Sequence, residues 1–192
     1  MAELQQRRHA ETKGDIVAAA LALFEQHGFG QVTMEDIAQA AGVSRRTVYR
    51  RFRTKDRIVL EVPKRWLAVW DAAVAALPAA SPIAVAEASC LAVARYIDAH
   101  RSEVLTAYAA LGESSTLTST GATSGGWIDR VVGLLRREPA MPSESMAYVI
   151  AGAYLGAIDA MMTQWVKGDG RGSALRETEA LLDRLRPIWP DD

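Results

Sequence analysis

A chain of 192 residues, 49% hydrophobic and 23% charged, is long enough to bury a sizeable core, and its composition excludes a disordered or collagen-like polypeptide. The net charge of −1 says nothing by itself about a polyanionic partner, but its distribution does. Between Ser44 and Arg57 lie Arg45, Arg46, Arg50, Arg51, Arg53, Lys55 and Arg57 against the single acid Asp56, a local net of +6, whereas from Pro63 onward twelve basic and fifteen acidic residues give −3. Such asymmetry points to an anionic partner at the N-terminal end alone. The one cysteine, Cys90, excludes an intramolecular disulfide framework and fits a reducing compartment. No apolar run suited to a signal peptide occurs in Met1 to Asp15, so a cytoplasmic location is expected.

Residues 1–11 read as a flexible polar arm. Ile16, Ala19, Ala20, Leu23 and Phe24 then follow the spacing of an amphipathic helix that stops at Gly28. Thr33 with Asp36 three residues on is a capping pattern, and Met34, Ile37, Ala38 and Ala41 form the apolar face of a second helix. Gly42 ends it, and Ser44 caps a third helix from Arg45 to about Phe52. Only Gly-Val-Ser separates the second and third helices, which is a helix-turn-helix signature. A fourth helix is expected from Thr54 toward Leu77, with a kink or break at Pro63, which has no N–H to donate to residue 59. A fifth starts at Pro82 and a sixth covers Ser102 to Leu111. Gly112 to Gly126 is rich in Gly, Ser and Thr and reads as a flexible loop. Helices follow over Trp127–Arg137, Ser143–Val166 and Ser173–Arg186, the last ended by Pro187. With no strand pattern and no repeat, the chain is expected to be all-α with about nine helices: a helix-turn-helix domain over 12–56 and a helical bundle over 57–192.

Taken at about 100° per residue from Arg45 at 0°, the third helix has Val48 near 300° and Phe52 near 340°, so its core direction is close to 320°. Opposite, Arg50 falls near 140°, Arg46 near 100° and Thr47 near 200°. Arginine forks pair with the O6 and N7 acceptors of guanine in the major groove, which makes Arg46 and Arg50 the candidate base readers. Tyr49 and Arg51 flank that face and suit phosphates, and Arg45 lies near the core direction, free to swing out at the helix end. Lys55, at the first position of the next helix, is a cation beside free N–H groups, a combination suited to cradling a phosphate. Charge runs are most often solvated faces, but here turn, caps and outward angle coincide.

IVAAALALF at 16–24, Gly28-Phe-Gly30, TMEDIA at 33–38 and AGVSRRTVYRRFRTK at 41–55 together resemble the TetR family of regulators, over roughly residues 12–60. The resemblance implies a nine-helix Ω-shaped homodimer, usually a repressor, that binds double-stranded DNA and is released by a small-molecule effector. It also implies that Thr33, Thr47, Tyr49 and Lys55 touch the DNA backbone. Arg46 stands where glycine is common in the family, so the operator sequence stays open.

In the C-terminal part, Met146 to Val166 is almost wholly apolar, interrupted mainly by Asp159 and Gln164. Its length would suffice to span a bilayer, but an acid in mid-membrane is costly, and burial against two partners explains the pattern without a membrane. One side would face the domain core and the other a second subunit, with Ala151, Gly152, Leu155, Gly156 and Ala157 allowing close approach and Leu175, Leu182 and Leu185 of the last helix completing a four-helix interface. Trp66, Trp70, Tyr108, Trp127, Tyr154 and Met162, with Trp165, could line an apolar effector pocket, and Asp159 could meet a cationic ligand; each could equally be core. Cys90 reads as a small core residue. No metal-ligand spacing, phosphate-binding glycine loop or nucleophile elbow is present, so neither catalysis, a metal nor a cofactor is expected. A regulator of the same fold controlled by a partner protein through the Gly112 to Gly126 loop is the alternative.

Overall fold

The computed structural model describes residues 2–77, 80–113, 125–139, 141 and 143–188, and among these only helices and the turns between them occur. The helices are α1 (Ala2–His27), α2 (Met34–Ala40), α3 (Arg45–Arg51), α4 (Lys55–Val59), α5 (Glu61–Ala76), α6 (Pro82–Ala99), α7 (Arg101–Glu113), α8 (Gly125–Leu135), α9 (Glu144–Lys167) and α10 (Ala174–Leu185), followed by a 3₁₀ turn at Arg186–Ile188. These are the nine expected segments with the fourth divided at Leu60. The break comes three residues before Pro63, which therefore sits in the first turn of α5, where a backbone N–H has no intrahelical acceptor to lose.

Two expectations need correction. Residues 2–11 are not an arm but the first turns of α1. Gln, Glu, Arg and Ala, all good helix formers, dominate this stretch, and no glycine or proline precedes Gly14. Of the Gly112 to Gly126 stretch expected as a loop, Gly112 and Glu113 belong to α7 and α8 already starts at Gly125; residues 114–124 lie outside the described ones.

The chain forms two compact units, Met1–Val62 with Ser102–Thr120, and Pro63–Arg101 with Gly121–Asp192. In the first, Ile16, Val17, Ala20, Leu21 and Phe24 form the buried face of α1, while Ala19 and Leu23 are half-buried at its edge. Helix α1 packs on α2, with its buried Met34, Ile37 and Ala38, and on α4, with its buried Ile58 and Val59, while α2 packs on α3, whose Val48 is buried. Val104, Ala107 and Ala110 of α7 are buried too, and the Ser102 hydroxyl donates to Glu25 at 3.1 Å.

In the second unit α6 packs on α8 and α10, and α9 packs on the same two helices. Arg130 of α8 donates to both carboxylate oxygens of Asp71 on α5, at 2.8 and 3.0 Å, and holds that carboxyl below the usual range. Asp98 near the end of α6 reaches the start of α10: it accepts from the Ala174 N–H at 2.7 Å, the Leu175 N–H at 3.1 Å and the Ser173 hydroxyl at 2.6 Å. Together these satisfy otherwise orphaned donors of the helix terminus from a side chain far away in sequence. Burial raises the Asp98 pKa, but the Ser173 hydroxyl, the two backbone donors and the nearby Arg101 outweigh it and hold the carboxyl below its ordinary value.

Asp98→Ala should therefore lower stability by about 1–2 kcal/mol, the usual cost of losing a helix cap. Because the folded-state pKa is depressed, the contribution of Asp98 is complete above the ordinary carboxylate value of about 3.9 and disappears as pH falls through the lower folded value. Urea melts of wild type and variant should differ at neutral pH and converge in acid; a constant difference down to the lowest pH would exclude this origin.

Candidate nucleic-acid interface

The geometry of the head starts from its turns. The Thr33 hydroxyl accepts from the Asp36 N–H at 3.1 Å, the Asp36 carboxylate accepts from the Thr33 N–H at 2.8 Å, and the box they form starts α2. The Thr33 hydroxyl and N–H hold the Asp36 carboxyl below its usual range. At the other end, Gly42 adopts φ +64°, its N–H bonds the Gln39 carbonyl at 3.1 Å, and the Val43 N–H bonds that of Ala38 at 3.0 Å. This is a Schellman closure, and its left-handed residue is why a glycine stands there. Ser44 then accepts from the Thr47 N–H at 3.1 Å and starts α3 only two residues beyond the glycine.

Within α3 only Val48 is buried, and Phe52, which follows the helix in extended conformation, is buried beside it. The angular reading from the sequence thus agrees with the observed seating. Arg46 and Arg50 are exposed, and neither forms a hydrogen bond or ion pair with another described residue. Tyr49 is exposed next to them. The remaining predicted contacts are placed differently. Arg45 is ion-paired with Glu35 of α2 at 2.6 Å. Thr47 is half-buried and shares a 2.9 Å hydrogen bond with the Ser44 hydroxyl, while the Thr33 hydroxyl donates to Asp36 at 2.6 Å. Arg51 is half-buried, with its Nε enclosed.

Lys55 departs most from its expected role. Its ammonium donates to the carbonyls of Phe29 and Val32, at 2.5 and 2.7 Å, and lies 4.5 Å from the centroid of the Phe29 ring. The ring in turn packs edge-on against Phe24. Two of its three N–H groups are therefore directed at the loop between α1 and α2, not outward at a phosphate. Nothing in the local sequence announces this, because the acceptors lie more than twenty residues upstream. Thr54 occupies the cap position before α4 but makes no side-chain capping bond.

The residues proposed for an effector pocket are distributed more widely than expected. Trp66 and Trp70 of α5 and Tyr154, Met162 and Trp165 of α9 are buried in the second unit. Trp127 meets Trp70 edge-to-face with centroids 5.6 Å apart. Tyr108 instead lies on α7 in the first unit, half-buried. Asp159 is exposed on α9. Of the residues proposed for a subunit interface, Ala151 and Leu182 are turned into the core of their own unit. Gly152 and Gly156 are exposed, and Leu155, Leu175 and Leu185 are half-buried. The outward stripe of α9 consists of Val149, Gly152, Ala153, Gly156 and Ala160, of which Val149 is 63% exposed. A helical wheel of α9 alone could not choose this stripe, since its buried side is apolar as well.

The head, with its short second and third helices closed by one glycine turn and its arginines outward, is that of a helix-turn-helix protein. Residues 16–62 match the sequence model of the bacterial regulatory proteins of the tetR family. A protein named as a mycofactocin biosynthesis transcriptional regulator, MftR of Mycobacterium tuberculosis, is 44% identical over 52 residues, which are 27% of this chain. The match spans only about a quarter, 26%, of the length of that relative. Two solved structures share the whole fold. FadR of Thermus thermophilus, a TetR-family repressor in complex with lauroyl-CoA, superposes with a TM-score of 0.70 at 19% identity, over 94% of this chain and 96% of its own. NalD of Pseudomonas aeruginosa, the secondary repressor of a multidrug efflux pump, gives 0.71 at 19% identity, over 97% and 99%.

Replacing Lys55 by alanine should destabilise the head by about 1–3 kcal/mol, since two carbonyls lose a charged donor. Thermal melts followed by circular dichroism would test this, and an unchanged melting temperature would return Lys55 to the role of a free surface cation. For Cys90, burial, with a smaller push from Glu87, raises the thiol pKa to about 12. The native protein should then resist a thiol reagent at roughly pH 8 and react only on unfolding; rapid modification of the folded chain would contradict the burial.

Proposed function

We propose that the chain is a homodimeric transcription repressor that holds a palindromic operator through α2 and α3 and leaves it when a small, largely apolar effector binds the second unit. The observation that carries the reading is the outward pair Arg46 and Arg50, without a partner among the described residues, on a helix seated by Val48. In this role α3 enters the major groove, while Tyr49, Arg51 and the start of α2 at Thr33 face the flanking phosphates.

Dimerisation is supported by α9. Only 28% of its most apolar 18-residue window is buried, so an apolar stripe remains for a second copy to cover. The small residues Gly152, Ala153, Gly156 and Ala160 on that stripe permit close helix approach, as a symmetric four-helix interface requires. An apolar effector is supported by the buried aromatics of α5 and α9 and by the lauroyl-CoA bound to FadR. Inside the same unit, the Ser89 hydroxyl and the Trp165 indole N–H are buried without a protein partner among the described residues, and a ligand could satisfy them.

Mobility shift on the DNA upstream of its own gene tests the core of this reading. One inverted repeat should bind tightly, with log K falling linearly in log salt at a slope of about −0.9 per phosphate contacted. Equal binding to random competitor would defeat it for that DNA, and genome-wide site selection would then decide whether any sequence is preferred. Sedimentation equilibrium should show a dimer for wild type and a folded, helical monomer for Val149→Asp, because Val149 projects from the stripe and takes no part in its own unit's core. A dimeric Val149→Asp protein would move the interface elsewhere.

A further inference from the structure

The basic cluster on α3 and its neighbours divides into groups that are free and groups that are already engaged, and this division has consequences for the operator. Arg45 is neutralised by Glu35 at 2.6 Å, Arg51 is half-buried, and the Lys55 ammonium is turned to two carbonyls. The Thr47 hydroxyl is shared with Ser44. On the face opposite Val48, the two charged side chains left with open donors are Arg46 and Arg50. Being diametrically opposite the buried side, they are the groups that project deepest when α3 lies in a groove, whereas side chains on its flanks meet the backbone first.

Their spacing limits what they can read. Four residues along an α-helix span about 6 Å, and successive base pairs are about 3.4 Å apart along the duplex. A guanidinium fork carries only donors; guanine offers two acceptors, O6 and N7, whereas adenine places the donor N6 beside its N7. We propose that Arg46 and Arg50 each read a guanine, the two guanines lying within two base steps of one another on either strand in every operator half-site. In the same arrangement Glu35 is a positioning residue that keeps Arg45 off the bases. The inference rests on the regulator reading above and sharpens it from a basic face to a base composition.

Binding-site selection from a random duplex library, with wild type, Arg46→Ala, Arg50→Ala and Arg45→Ala in parallel, provides the test. Wild type should enrich an inverted repeat with two guanines so spaced in each half. Arg46→Ala should lose the preference at one of them and Arg50→Ala at the other, by roughly 5- to 150-fold against the next base. Arg45→Ala should keep both. Because Arg46 and Arg50 are exposed and have no partner among the described residues, both variants should melt as wild type does. As a check that needs no variant, 7-deazaguanine at either position, which removes N7, should weaken wild type and leave the matching alanine variant unaffected. An enriched repeat without the paired guanines, or a base preference lost with Arg45→Ala, overturns this inference and leaves the regulator standing. A library from which nothing is enriched overturns both.

Discussion

The seating of one side chain determines the working face of this molecule. Helix α3 has seven residues, far too few to persist alone in water, and Val48 is its one buried side chain, at 0% exposure. A single apolar anchor cannot fix the rotation of a helix, so its two ends supply the rest. The Schellman turn at Gly42 and the Ser44 cap direct the N-terminus, the Glu35–Arg45 ion pair ties it to α2, and Phe52 pins the C-terminal exit in extended conformation. Rotation about the Val48 anchor is thereby fixed, and Arg46 and Arg50 have no direction left but outward. An error of one residue in that register would turn the arginines toward the flanks and bury a charge.

The same economy explains why so many cations cluster in one short segment without each needing an external partner. Lys55 would be unfavourable at the first turn of α4 if it met only the positive end of the helix dipole. Its ammonium instead closes the loop after α1 through two carbonyls and the Phe29 ring, joining α1, that loop and α4. Cations with protein partners and cations left outward are thus interleaved in sequence. The charge count between Ser44 and Arg57 overstates what is available to a polyanion.

The second unit depends on ties between distant segments. Asp98 caps α10 across seventy-six residues of chain, and the Asp71–Arg130 fork joins α5 to α8. These hold a bundle in which α9 is apolar on both sides, one side spent on the core through Ile150, Ala151, Tyr154 and Met162, the other carried outward at Val149 and Gly156. An exposed apolar stripe of that kind is the physical basis of the proposal that a second copy covers it.

Much of this was determined by local sequence. Thr33 with Asp36, Gly42, and Ser44 dictate their turns by short-range hydrogen bonds and backbone permissiveness, and the 3.6-residue period of α3 alone puts Val48 inward and Arg46 and Arg50 outward. The class of fold and the placing of the head follow from such signals. Only the tertiary structure decided which of these charged groups are committed: Arg45 meets Glu35 ten residues away, Lys55 meets carbonyls 23 and 26 residues away, and Asp98 meets the start of α10 75 to 77 residues away, beyond the reach of any local pattern. It also decided that residues 2–11 continue α1, that Asp159 faces outward, and that Ala151 and Leu182 belong to the core. A helix apolar on every side carries no periodic mark of which face its own domain will cover; neighbours make that choice, and neighbours are set by the fold.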